Sequence, residues 1–271
     1  MGRKLVHDVA NNHKHTMSQH FYNIHGKPCH TQTIKSGPNK GKPRNTTKSD
    51  AKRKKLFPSV SAYTGMMAKE WLIPWSIKGV LDIAYDQPAI AGEDQEEWRK
   101  SITQKWDKLK MEPAERGTAL HAAIEDYYTA ESWTVSEDDY YFCMPVIHKL
   151  EDIGVEVEHA EKVVVNAAMG YAGTADIIEK TGQIDDFKSK DFKGRDTVIP
   201  SFDHCMQLAA YFVAANGHNN FLPCRNIYFC RNEPDKVMVK EWTPDDLTSG
   251  WEAFQACLTL YRLTTGFDAR Q

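Results

Sequence analysis

Ile184-Asp185-Asp186-Phe187-Lys188-Ser189 is a short apolar-and-charged run whose second acid comes ten residues after a lone one, Asp176, in Gly173-Thr174-Ala175-Asp176-Ile177-Ile178. Side chains alternate between the faces of a strand, so Asp186 and Lys188 are expected to project together and Phe187 to the opposite side. Asp185 then faces away with Phe187, unless a bulge turns it round. Taken alone, Asp-x-Lys also reads as a surface strand with a salt-bridged pair. Its neighbours therefore have to decide.

Outward from this run, residues 155–166 are Val-rich with alternating Glu and Lys, and 171–179 form a second strand pattern. Met169-Gly170 and Lys180-Thr181-Gly182 mark the turns. Three successive strands predict an antiparallel meander. A helix is expected over 202–216, strands over 226–230 and 236–242, and a closing helix over 244–263. That last helix starts at a Thr243 cap and buries Leu247, Trp251, Phe254, Leu258 and Tyr261.

Upstream, residues from about 56 to 150 read as mostly helical. Trp71, Leu72, Trp75, Ile77, Val80, Leu81, Trp98, Ile102, Trp106 and Leu109 recur at helical spacing and are expected to be core. The order of helices, a sheet with an inserted helix, and a last helix predicts a mixed α/β (α+β) domain over 56–271.

The net charge of −3 conceals an asymmetry. Residues 1–55 hold 13 of the 34 Lys and Arg against two acids, a net +11, and the remainder carries −14. With little apolar periodicity beyond Phe21-Tyr22-Asn23-Ile24, this segment reads as a weakly structured basic arm suited to phosphate contact. On that reading it can be deleted with the active centre retained. His25, Cys29 and His30 lack the spacing of a zinc module. Gly37-Pro38-Asn39-Lys40-Gly41-Lys42-Pro43 fails as a phosphate loop, being one residue short, with Pro43 in the place of the magnesium-binding hydroxyl.

The 41% apolar content allows a substantial core, and no run of eighteen apolar residues is present. Six cysteines without a Cys-x-x-Cys pair suit reduced thiols. Together with an N-terminus lacking a secretory pattern, these features predict a soluble, intracellular, non-secreted protein with no membrane partner.

Three further signals surround the opening run: Arg116-Gly117-Thr118-Ala119-Leu120-His121-Ala122-Ala123-Ile124-Glu125, where His121 and Glu125 share a helix face; Gly173 with Asp176; and Gln207-Leu208-Ala209-Ala210-Tyr211, an amide and a phenol one turn apart. In this order the chain resembles the RecB-like branch of the PD-(D/E)XK nucleases over residues 57–263. The branch pattern is G-x-x-x-H-x-x-x-E, G-x-x-D, acid-x-Lys and Q-x-x-x-Y. Phe57-Pro58-Ser59-Val60-Ser61 looks like the opening of phage and mitochondrial exonucleases of that branch.

The resemblance implies a restriction-endonuclease-like mixed central sheet flanked by helices, with an N-terminal helical portion. It implies a metal-dependent DNA exonuclease acting on a single strand or duplex end in recombination, repair or replication, as a phage protein in a host cytoplasm or in an organelle. Asp176, Asp186, the Phe187 carbonyl and His121 would hold Mg²⁺ or Mn²⁺. Lys188 would orient or deprotonate the attacking water, and Glu125 would take a second cation or brace His121. Gln207, Tyr211 and Ser189 would position the substrate, and Lys190, Lys193 and Arg195 would contact its backbone.

No iron–sulfur cluster is expected, because Phe221 occupies the position that would complete a cysteine set with Cys224 and Cys230. No helicase motor is expected either. Two rivals share these residues: a structure-specific or restriction-like endonuclease with the same site, and a nucleic-acid-binding protein without hydrolysis. Trp71, Trp75 or Tyr63 are candidates for stacking a single strand.

Overall fold

A computed structural model describes residues 20–67 and 69–270. The chain opens with Phe21–Tyr22 (β1), a hairpin of Thr31–Thr33 (β2) and Pro43–Asn45 (β3), helix Lys48–Lys54 (α1), Phe57–Pro58 (β4) and Val60–Thr64 (α2). Three longer helices follow: Leu72–Asp86 (α3), Gln95–Thr129 (α4) and Glu137–Asp152 (α5). Then come Val157–Asn166 (β5), Tyr171–Glu179 (β6), Ile184–Lys190 (β7), Phe202–Asn216 (α6), Cys224–Cys230 (β8), Val237–Trp242 (β9) and Pro244–Thr265 (α7). The expected mixed α/β class is what is found.

Five strands form one sheet in the order β5-β6-β7-β8-β9. The expected meander β5-β6-β7 is antiparallel, and β7 and β8 run parallel. Parallel neighbours require a long crossover, and the segment carrying α6 provides it. Helices cover both faces. Leu120 and Ile124 of α4 and Val146, Ile147 and Leu150 of α5 pack against Ile177, Phe187, Ile227 and Phe229. On the other face Leu208 and Phe212 of α6 and Leu247, Phe254 and Leu258 of α7 meet Ala172, Ile178 and Ile184.

The closing helix is bounded as its sequence indicates. Thr243 and Asp246 form a reciprocal capping box with Pro244 behind the cap, and Gly266 ends the helix in the left-handed region at φ 62°.

Two expectations need correction. The sequence predicts a weakly structured basic arm over residues 1–55; the first nineteen of these lie outside the described residues, but residues 20–55 fold onto the domain. Phe21, Tyr22 and Ala51 belong to the main core, β1 pairs with β4, and Ser59 bridges Ala172 of the large sheet. A few apolar residues set in a polar sequence were enough, because the hydrophobic surface they cover is supplied by the sheet.

The second correction concerns the helical aromatics. Trp71, Trp75, Ile77, Leu81 and Leu109 are exposed, and Ile83 and Ile102 are the buried members of this region. The reason is that α3 packs chiefly against the first half of α4 rather than against the sheet. Trp75 meets Trp106 at 4.7 Å between ring centroids. Gly79 permits the approach, since a Cβ there would stand 2.1 Å from the Trp106 ring. Tyr63, a stacking candidate in the sequence, is buried, with its hydroxyl donating to the Gly170 carbonyl. Among the described residues no helix is long and apolar enough to cross a membrane.

Candidate active site

The centre of the site is a fork between two strands. β6 and β7 pair only at Ile177 with Asp185 and Ile178 with Ile184, and one step further the strands part. Asp176 and Asp186 are the first residue on each side beyond that last pair. At the fork the Asp176 carboxylate replaces a ladder partner: its Oδ2 accepts the Phe187 N–H at 2.6 Å. The N–H and C=O of one strand residue lie on the same edge, so the Phe187 carbonyl also faces this side.

Strand parity acts as read. Asp186 is buried, and its Oδ2 receives Lys188 Nζ at 2.5 Å and Asn226 Nδ2 at 2.8 Å. Asn226 is the residue opposite Asp186 on the parallel strand β8, and it is held in turn by the Trp242 indole N–H at 2.7 Å. Lys188 also donates to Gln207 Oε1 at 3.0 Å, and Gln207 Nε2 donates to the Tyr211 hydroxyl at 2.8 Å. Spacing of four on α6 aligns that amide and phenol on one helix face.

His121 reaches the fork from α4, its Nδ1 3.8 Å from Asp176 Oδ2 and its ring edge-on to Phe187. The two glycines of the sequence pattern have a steric reason. A Cβ on Gly173 would stand 2.6 Å from the Tyr211 ring, and one on Gly117 2.2 Å from Ser189 Oγ.

Asp185 points to the opposite face. It accepts Arg225 Nε at 2.7 Å, and the same guanidinium pairs with Glu179, making a buried ionic triad apart from the fork.

Burial raises the Asp186 carboxyl to about 6, with Lys188 opposing and Asp176 reinforcing the shift. Asp176 is raised by burial too, against the pull of Lys188 and the Phe187 N–H. His121 falls to about 4, chiefly because burial disfavours its cation and secondarily because Lys188 repels it. Its imidazole is therefore neutral at pH 7, as ligation requires. Glu125, half-buried, is raised by burial.

A cleft of about 550 Å³ lies over the fork. His121, Asp176, Phe187, Lys188, Ser189, Lys190, Gln207 and Tyr211 line it, and Asp186 lies buried beneath. Glu125 stands beside the cleft without lining it, and Lys193 and Arg195 are exposed in the loop after β7. Lys193 is turned there by its left-handed φ of 51°.

Sequence reading missed several neighbours. Glu161 lines the cleft from β5, and Tyr22 closes a wall with its hydroxyl 3.2 Å from Thr174 Oγ1. His30 belongs to that wall, stacked on His20 at 4.3 Å. Asn226 and Trp242 underpin Asp186. No pattern in the sequence marks Glu161, because only the β5–β6 register sets it opposite Asp176.

Among the described residues no three His, Cys, Asp or Glu side chains are drawn together as a ready-made metal cage. Lys188 holds the Asp186 oxygen that a cation would share. The donor chemistry nonetheless suits a hard divalent ion: the buried Asp186 and cleft-lining Asp176 carboxylates, a strand carbonyl and a neutral imidazole. No protein-family model matches the chain, and no curated protein matches it in sequence.

Proposed function

We propose that this protein is a metal-dependent DNA nuclease that hydrolyses phosphodiester bonds, working as an exonuclease at DNA ends. The observation that carries the reading is the fork itself, where Asp176 and Asp186 stand side by side with Lys188 on the Asp186 oxygen. Two adjacent acids, one of them buried, beside one ammonium make a poor structural motif. They make a good site for polarising a phosphate, where charge must be balanced around one phosphorus.

Asp176, Asp186, the Phe187 carbonyl and His121 would hold Mg²⁺ or Mn²⁺, with Glu125 near enough to brace His121 or add charge. A bound divalent cation supplies Lewis acidity to a phosphoryl oxygen and makes water a better nucleophile. Lys188 already bridges Asp186 and Gln207, so a cation drawing on Asp186 leaves the ammonium a second anchor from which to orient water. Gln207 is itself steadied by Tyr211. Ser189 and Lys190 face the same cleft and suit contact with phosphate oxygens.

End-labelled linear and circular DNA, single- and double-stranded, incubated with Mg²⁺, Mn²⁺ or EDTA, tests the proposal. Cation-dependent release of nucleotides from linear DNA alone is the expected result. Cutting of circles would favour the endonuclease, and binding without cleavage under every condition would overturn hydrolysis.

A further inference from the structure

Glu161 occupies a position that strand packing does not favour. The β5–β6 register pairs Ala160 with Ile177 and Lys162 with Ala175, leaving Glu161 opposite Asp176 across the ladder. The Glu161 side chain is hydrogen-bonded to the Asp176 carboxyl, so the two acids meet through a shared proton, whereas a structural acid there would ordinarily meet a basic partner. Among the described residues no Lys or Arg forms an ion pair with Glu161, although the cation of Lys162 is adjacent in sequence. Its backbone is left-handed at φ 47°, which costs a non-glycine residue conformational energy. The side chain borders the same cleft as His121, Lys188 and Gln207.

We infer that Glu161 is a third acidic residue of the cation site, holding a divalent metal jointly with Asp176 from the β5 side of the fork. This rests on the metal-dependent reading above and adds to it a residue that the sequence pattern does not contain. Asp176 then belongs to two half-sites: one toward Asp186 and Lys188, the other toward Glu161. A divalent ion between Glu161 and Asp176 would take the place of the proton that the two acids share.

The test uses the full chain and Mn²⁺ alone, without DNA, so that binding is read separately from cleavage. Mn²⁺ titrations followed by electron paramagnetic resonance, and thermal melts with and without Mn²⁺, are compared for the wild type, Glu161→Gln, Asp186→Asn and Glu158→Gln, the last an exposed acid of the same strand. Glu161→Gln is expected to raise the melting temperature of the metal-free protein by a few degrees. It should also weaken Mn²⁺ binding by roughly tenfold or more and shrink the Mn²⁺-induced rise in melting temperature, while Glu158→Gln leaves all three unchanged.

If Glu161→Gln binds Mn²⁺ as the wild type does while Asp186→Asn does not, the Glu161 assignment is wrong and the metal reading stands. Absence of Mn²⁺ binding by the wild type overturns both. Should Glu161→Gln fail to fold, Glu161→Asp decides: Mn²⁺ affinity below that of the wild type supports the inference, and unchanged affinity overturns it.

Discussion

Asp176 Oδ2 accepts the backbone N–H of Phe187 at 2.6 Å, a side chain of one strand standing in for the ladder of the next. This bond lets β6 and β7 separate without stranding a buried amide, which would otherwise cost about 1–3 kcal/mol. It also fixes the Asp176 carboxylate beside Asp186. The same contact therefore maintains the sheet and builds the site.

Asp186 and Lys188 should separate activity from stability. Asp186→Asn removes an acid whose burial is unfavourable, so it is expected to leave the fold intact while reducing cation-dependent cleavage by roughly 10²–10⁴. Lys188→Ala should reduce cleavage comparably and also lower unfolding stability by about 1–3 kcal/mol, since a buried carboxylate loses its partner. Denaturant melts beside cleavage rates check both; wild-type cleavage by either variant contradicts the site.

Two opposing proton equilibria should meet at the fork in metal-free protein. Asp186 titrates at about 6 when folded against an ordinary 3.8, so its stabilising contribution is complete below about 3.8 and is lost as pH rises through about 6. His121 titrates at about 4 against 6.5, so its contribution is complete above about 6.5 and is lost as pH falls through about 4. Between those limits the two slopes cancel in part. In EDTA, Asp186→Asn is expected to become more stable as pH rises across that window, and His121→Gln to become less stable. Parallel curves for the two variants would show that neither group is shifted as described.

Asp185 and Asp186 differ only by strand parity, and their variants should differ in kind. Asp185→Asn weakens the buried Arg225 triad and is expected to lower stability while keeping cation-dependent cleavage. Arg225→Ala leaves Asp185 and Glu179 without their cation and should cost about 3–5 kcal/mol. Loss of cleavage in a folded Asp185→Asn protein would place the site on the wrong face.

The N-terminal segment supplies a contrast between the two levels of description. Residues 1–55, read from sequence as dispensable, include Phe21 in the core and Tyr22 at the cleft wall. Phe21→Ala is expected to cost about 3–5 kcal/mol. Removing residues 1–55 should abolish a cooperative melt rather than merely weaken DNA binding, as circular dichroism on heating would reveal.

The period-two pattern around Asp186 and the helical pattern around Gln207 and Tyr211 were legible along the chain, because local geometry alone determines which residues share a face. For the same reason the meander, the crossover helix and the capped final helix lay close to where their sequence placed them. Burial was not legible for Trp71, Trp75 and Leu81: helical spacing shows that a face is apolar, but not whether another element covers it. Nor was the partnership of Glu161 with Asp176, or of Asn226 with Asp186, since these depend on the register between strands. The sequence by itself determined the element order and the parity that sets Asp186 with Lys188. Only the tertiary structure decided where β6 and β7 part, because the end of a ladder depends on backbone hydrogen bonds between distant segments and on what each freed amide finds in their place.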